Sequence, residues 1–141
     1  RGVAVVESYG SPVAQVVEMR LVDGKVKLER VCVAIDCGRA INPGQVEQQM
    51  HAGVMGGLSA ALYGKITIQE GRAQQSNFGD YPLMRIHEAP KIHTDIVEIG
   101  SPLGGVGEPG VPPVAPALIA ALHSATGRFV RSLPLIDHQL V

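Results

Sequence analysis

Alternating apolar and polar residues at the start of the chain predict an antiparallel β-meander. Strand-like runs at Val3–Val6 and Val13–Met19 flank the turn sequence Tyr9–Pro12. The Asp23-Gly24 pair lies between apolar runs, a strong signal for a short hairpin, so a third strand is expected from about Lys27 to Ile35. A sheet of this kind has an apolar face that another element must cover.

The spacing of apolar residues then changes to that of a helix. Asn42 is a favourable N-cap and Pro43 suits the first helical position. The helix is expected over Gly44–Leu62, and Gly64 can end it. Its apolar positions recur at helical spacing. They are Val46, Met50, Val54, Leu58 and Ala61.

The second half of the chain predicts fewer regular elements. A hairpin is expected around Glu70-Gly71, a loop over residues 77–90 and a strand over 92–99. A segment rich in Gly and Pro follows, and then a helix from about Pro113 to Thr126 that Gly127 ends. The predicted class is α+β, an antiparallel meander packed against about two main helices, with residues 1–141 forming a single domain.

The composition excludes several classes of function. The chain has 141 residues, 45% hydrophobic and 18% charged, which suits one folded domain. Its net charge is -1 and it has no basic tract, which argues against nucleic acid or an anionic membrane surface as partner. The apolar stretches are too short to cross a bilayer. Because the chain starts at Arg1 without Met, we expect it to be part of a longer protein.

Cysteine and histidine predict no metal site. In an extended segment Cys32 and Cys37 would lie about 16 Å apart, beyond the roughly 7 Å limit for a disulfide. We expect Cys32 to be buried and Cys37 to lie in a turn, with a mobile redox pair as the alternative. The histidines show no paired spacing typical of metal ligands.

One face of the first predicted helix is nearly bare. The helix contains Gly53, Gly56 and Gly57. Each destabilises the helix by about 1 kcal/mol relative to Ala, so other interactions must offset this cost. Gln49, Gly53, Gly56 and Ala60 fall on one side at helical spacing. That side suits either tight packing against a sheet or the approach of a flat ligand, for which Gln49 offers a donor and an acceptor.

The loop Gly105–Gly110 is the second unusual feature. It matches the dinucleotide pattern G-x-G-x-x-G, but Val130 stands where the ribose-binding acid would be. The loop also presents Glu108 between Gly107 and Pro109. A carboxylate held rigidly suits a general base, because little motion is needed before proton transfer. The alternative is an exposed glutamate in an ordinary connection.

These features together resemble a known family. Residues 34–43, then Gln49 in a helix with glycines, then Gly105–Gly110 are similar to the C-terminal part of the molybdenum-binding large subunit of the xanthine dehydrogenase/aldehyde oxidase family. Residues 75–85 and 110–118 resemble most the isoquinoline 1-oxidoreductase and membrane-associated aldehyde dehydrogenase branch.

The resemblance implies a fold and a reaction. The chain would be a fragment of the molybdenum-cofactor-binding domain of a bacterial molybdenum hydroxylase that oxidises an aldehyde or an N-heterocycle. Glu108 would be the catalytic base, taking a proton from a hydroxyl on molybdenum. Gln49 would contact molybdopterin, and the backbone at Gly107 would lie beside the metal ligands. No side chain of this chain would itself ligate the metal.

The resemblance also implies cofactors and partners. The cofactor would be molybdenum-molybdopterin in its cytosine dinucleotide form, with 2Fe-2S clusters on a partner subunit or domain. The remainder of the molybdenum subunit would be a further partner, with a cytochrome c as a candidate electron acceptor. Either the cytoplasm or the periplasm is compatible with the sequence. Two rival hypotheses are a non-catalytic assembly module of the same fold and a small nucleotide-binding domain that uses Gly105–Gly110.

Overall fold

The computed structural model describes residues 1–140 as a four-stranded mixed sheet, a separate two-stranded sheet and two main helices, which confirms the α+β class. Two short 3-10 helices lie at Ile86–Glu88 and Leu135–Asp137. The helices are α1 (Pro43–Tyr63) and α2 (Val114–Thr126). The strands are β1 (Gly2–Ser8), β2 (Ser11–Val22), β3 (Lys25–Ile35), β4 (Ile68–Gln69), β5 (Arg72–Ala73) and β6 (Lys91–Ile96).

The main sheet has the strand order β1-β2-β3-β6. Strands β1, β2 and β3 pair antiparallel, so the predicted meander is confirmed. Strand β6 pairs in parallel with the second half of β3, from Arg30 onward, after a crossover that contains α1. The strand predicted over 92–99 ends at Ile96, since β3 ends at Ile35 and no residue beyond it is left to pair.

Local signals at turns and helix ends predicted the structure well. Three hairpin turns have positive φ at both central residues, as tight hairpins require; they are Tyr9-Gly10, Asp23-Gly24 and Glu70-Gly71. The Asn42 side chain accepts a hydrogen bond from the Gln45 backbone N–H and caps α1. Gly127, with φ of 72°, ends α2 in the left-handed region.

Both helices cover one face of the sheet. Helix α2 crosses β1 and β2 so closely that a Cβ on Gly2 would lie 2.1 Å from the Ala121 backbone nitrogen. The opposite face is uncovered along β1, where Val3 and Val5 are 62% and 69% exposed. No helix within residues 1–140 is long and apolar enough to cross a membrane.

The expected burial of Cys32 is wrong, whereas Cys37 follows the end of β3, outside any strand. Cys37 is buried, with 3% of its surface exposed, and Cys32 is half-buried. Cys37 is covered because the chain leaving β3 runs beneath a later loop, whose Gly104 N–H donates to the Cys37 carbonyl. Cys32 points to the uncovered face, since its neighbours Val31 and Val33 fill the core.

Candidate functional site

The segment between β6 and α2 carries Glu108, and its first part is tied to the end of β3. Asp36 is buried and accepts two hydrogen bonds, one from the Gly38 N–H and one from the Ser101 hydroxyl at 2.5 Å. Gly38 has φ of 72°, and a Cβ there would lie 2.6 Å from the Pro102 carbonyl oxygen. These contacts fix the position of the chain just before the loop Gly105–Gly110.

The turn between β1 and β2 contacts the start of the loop Gly105–Gly110. The Gly105 N–H donates to the Tyr9 carbonyl at 2.8 Å, and the Ser11 hydroxyl donates to the Gly105 carbonyl at 2.7 Å. A Cβ on Gly104 would lie 2.2 Å from Ser11 Oγ and 2.6 Å from the Gly10 carbonyl oxygen. These glycines thus permit two stretches of backbone to pack in contact.

Glu108 itself is exposed and receives a hydrogen bond from a residue distant in sequence. The Tyr9 hydroxyl donates to Glu108 Oε2 at 2.7 Å. This hydrogen bond, with the negative charge of Glu108, raises the pKa of Tyr9 above its ordinary value. The Glu108 carbonyl also accepts from the Val111 N–H at 2.9 Å, which closes a turn immediately after the carboxylate.

The end of the loop is held from within the core. Gln15 lies in the central strand β2 with none of its surface exposed, and its Nε2 donates to the Gly110 carbonyl at 2.7 Å. Its Oε1 is buried without a hydrogen-bond partner. On the other side, a Cβ on Gly53 of α1 would lie 3.1 Å from the Gly110 carbonyl carbon. Strand β2 and helix α1 therefore both contact the Gly110 peptide, from opposite sides.

The bare face predicted on α1 divides into two parts. Gly53 is a packing glycine, and so is Gly57 beside this face, where a Cβ would lie 2.8 Å from Val114 Cγ2. Apart from its chain neighbours and the backbone of its own helix, Gly56 has no atom within 4 Å of the position where its Cβ would be. Gln49 and Ala60 are exposed on the same side. The expected packing against a sheet is wrong in its partner, because Gly53 packs against the loop at Gly110 and Gly57 against the first residue of α2. The other three positions of the predicted face are exposed.

The structure brings the helix residue next to Gln49 into contact with the end of the loop that carries Glu108. Apart from its chain neighbours, Gly107 has no atom within 4 Å of the position of a Cβ, so one side of its backbone is open beside Glu108. Met50, the residue after Gln49, lies 3.3 Å from the Cβ position of Gly110. An exposed amide and an accessible loop backbone suit a large polar cofactor, so these residues fit molybdopterin. Within residues 1–140, no three His, Cys, Asp or Glu side chains are grouped as a metal site.

Sequence patterns did not identify the residues that hold the loop. Tyr9 and Ser11 reach it across 99 and 94 positions, and no local pattern encodes such a contact. Gln15 did leave a signal, because it stands between Val13 and Val17 on the inward-facing side of a strand. A buried amide at such a position needs a polar partner.

Comparison with known proteins gives consistent results. A family model described as a molybdopterin cofactor-binding domain matches residues 5–90. The isoquinoline 1-oxidoreductase subunit beta of Brevundimonas diminuta is 37% identical over 80% of this chain and 14% of that protein. The solved structure of CO dehydrogenase from Oligotropha carboxidovorans matches this chain with a TM-score of 0.72 and 29% identity. The match covers 83% of this chain and 16% of the CO dehydrogenase chain.

A third comparison concerns the fold alone. Quinoline 2-oxidoreductase from Pseudomonas putida 86 has a TM-score of 0.76 at 20% identity, covering 92% of this chain and 19% of that one. The chain thus spans less than a fifth of the length of each of these proteins.

Proposed function

The chain belongs to the molybdopterin cofactor-binding domains of the molybdenum hydroxylase family, and on that premise we propose that Glu108 is the general base of such an enzyme. Family membership confirms the resemblance found in the residues. The proposed reaction is the oxidation of an aldehyde or an N-heterocycle by hydroxylation with oxygen from water. In this proposal residues 1–141 form one domain of the molybdenum-binding subunit.

Glu108 would accept a proton at its carboxylate during this reaction. The observation that supports this role is the fixation of its loop by Tyr9 and Ser11 on one side and by Gln15 on the other. A carboxylate in a fixed loop needs little rearrangement before proton transfer, which lowers the barrier. A glutamate in an unconstrained connection would have no such network.

Molybdopterin would be held by the Gln49 amide and by the accessible backbone at Gly107. When bound, this cofactor supplies the two-electron oxidation. The exposed face at Gly56 would let a flat group lie against the helix backbone, since no side chain occupies it. Gln49 carries both a donor and an acceptor, which suits the mixed polar edge of a pterin.

We propose the remaining cofactors and partners from the same family resemblance. The cofactor would carry the cytosine dinucleotide, and the 2Fe-2S clusters would belong to a partner subunit or domain. A cytochrome c is the proposed electron acceptor in the branch resembled here. The rest of the molybdenum subunit would supply the other contacts of the cofactor, in keeping with the small share of its relatives that this chain spans.

We further propose that the chain is inactive by itself. Turnover would need contacts to molybdopterin and an electron path that residues 1–141 do not provide. An oxidation assay of the chain with aldehyde or N-heterocycle and a dye acceptor should give no turnover. Dye reduction by the purified chain would refute this part of the proposal.

The base is tested by Glu108→Gln in the molybdenum-loaded enzyme that carries this chain. Substrate oxidation should be lost while molybdenum content stays near normal, because the amide cannot accept the proton. Glu7→Gln, an exposed carboxylate on β1, is the matched control and should keep full activity. Full activity of Glu108→Gln would refute the role, and absence of molybdenum from the intact parent protein would instead favour an assembly module.

A further inference from the structure

Tyr9 is bound to the Glu108 loop through both its backbone and its side chain. Its carbonyl accepts the Gly105 N–H at 2.8 Å, and its hydroxyl donates to Glu108 Oε2 at 2.7 Å. Its backbone has φ of 56°, an unusual value for a bulky residue. The turn that imposes this value is the one whose Ser11 hydroxyl also holds Gly105.

The hydrogen bond from Tyr9 leaves the two oxygens of Glu108 unequal. Oε2 already accepts one hydrogen bond, whereas Oε1 accepts none from residues 1–140 and keeps both lone pairs. A donor on one oxygen also fixes the rotation of the carboxylate plane. This matters for a base, because the proton must arrive in line with a lone pair.

We propose that Tyr9 is the positioning residue of this site, holding Glu108 Oε2 so that Oε1 takes the proton. The inference rests on the proposed role of Glu108 and adds a specific function for the β1–β2 turn. Tyr9 stays a neutral donor across the working pH range, since the contact with Glu108 raises the pKa of Tyr9 above its ordinary value. Among residues 1–140 the Tyr9 hydroxyl donates to the Glu108 carboxylate alone, so Tyr9 acts through Glu108.

The contact can be tested in the chain as it stands, without cofactor. The chain has three tyrosines, so Tyr63→Phe with Tyr81→Phe leaves Tyr9 as the only phenol. Absorbance of the tyrosinate then reports its titration. Adding Glu108→Gln should lower the midpoint toward the ordinary value of about 10. Glu7→Gln should not move it, and an unmoved midpoint in the Glu108→Gln variant would overturn the contact.

The consequence for catalysis is tested in the molybdenum-loaded enzyme. Tyr9→Phe should lower kcat about tenfold, with unchanged KM and molybdenum content, because only the orienting hydrogen bond is removed. Tyr63→Phe is the matched control, since Tyr63 also donates to a glutamate, Glu88, away from the loop. Its turnover should equal that of the wild type.

A double substitution separates positioning from a general loss of structure. In Glu108→Asp the shorter carboxylate is out of reach, so adding Tyr9→Phe should slow the enzyme no further. An equal additional loss would show that Tyr9 acts elsewhere and would overturn the inference. Full activity of Tyr9→Phe beside an inactive Glu108→Gln refutes only the positioning role, whereas full activity of Glu108→Gln refutes the base. If Tyr9→Phe does not fold, the phenol titration still decides.

Discussion

Replacing Gly53 by Ala tests whether α1 and the Glu108 loop are packed in direct contact. The new Cβ would lie 3.1 and 3.2 Å from the carbonyl carbon and Cα of Gly110, and 3.3 Å from the Val111 nitrogen. All three are backbone atoms. The loop has little room to yield, because Gln15 holds the Gly110 carbonyl from the other side. Overpacking of this kind costs about 1–3 kcal/mol.

Gly56→Ala provides a matched control on the same helix. Both substitutions gain about 1 kcal/mol of helix propensity, so that gain cancels when the two variants are compared. Gly56 has open space around its Cβ position, and its variant should unfold about 3 °C above the wild type. Gly53→Ala should be about 1–3 kcal/mol less stable than Gly56→Ala by urea or thermal unfolding. Equal stabilisation of both variants would refute the proposed contact.

Three further predictions concern buried groups. Gln15→Met should destabilise the fold by about 1–2 kcal/mol in urea unfolding, since the buried Gly110 carbonyl loses its donor; wild-type stability would contradict this. Cys32 should react with a thiol reagent well before Cys37 in mass spectrometry, because burial, and then the neighbouring carboxylates, raise the pKa of Cys37. Burial and the contact with Glu88 raise the pKa of Tyr63 to about 12. The neutral Tyr63 hydroxyl should therefore add to the free energy of unfolding below pH 10, and this addition should be lost by about pH 12. Tyr63→Phe should abolish that loss, and an unchanged alkaline profile would exclude Tyr63 as its source.

The sequence predicted the features that short segments determine. Asn42 and Gly127 mark helix ends through their own side-chain and backbone chemistry, and Asp23-Gly24 forms the expected hairpin. The parallel pairing of β6 was not predicted, because strand partners depend on the path of the whole chain. The same limit applies to the candidate site, where the loop sequence predicted Glu108 as a candidate base but nothing in the sequence indicated its contact with Tyr9.

The glycines show why one pattern supports two interpretations. Gly53 and Gly56 lie three positions apart on α1 and are indistinguishable by composition. Only the fold shows that Gly53 faces the Gly110 peptide while Gly56 faces open space. One glycine-bearing helix therefore has both a packed glycine and an exposed one.

The role of Glu108 is tested most directly by the rate at which substrate reduces the molybdenum-loaded enzyme. Anaerobic rapid mixing with an aldehyde or N-heterocycle, followed by absorbance, isolates this half-reaction from electron transfer to an acceptor. Glu108→Gln should slow reduction by at least about a hundredfold at equal molybdenum content, as expected for loss of a general base. Reduction of Glu108→Gln at the wild-type rate would contradict the account.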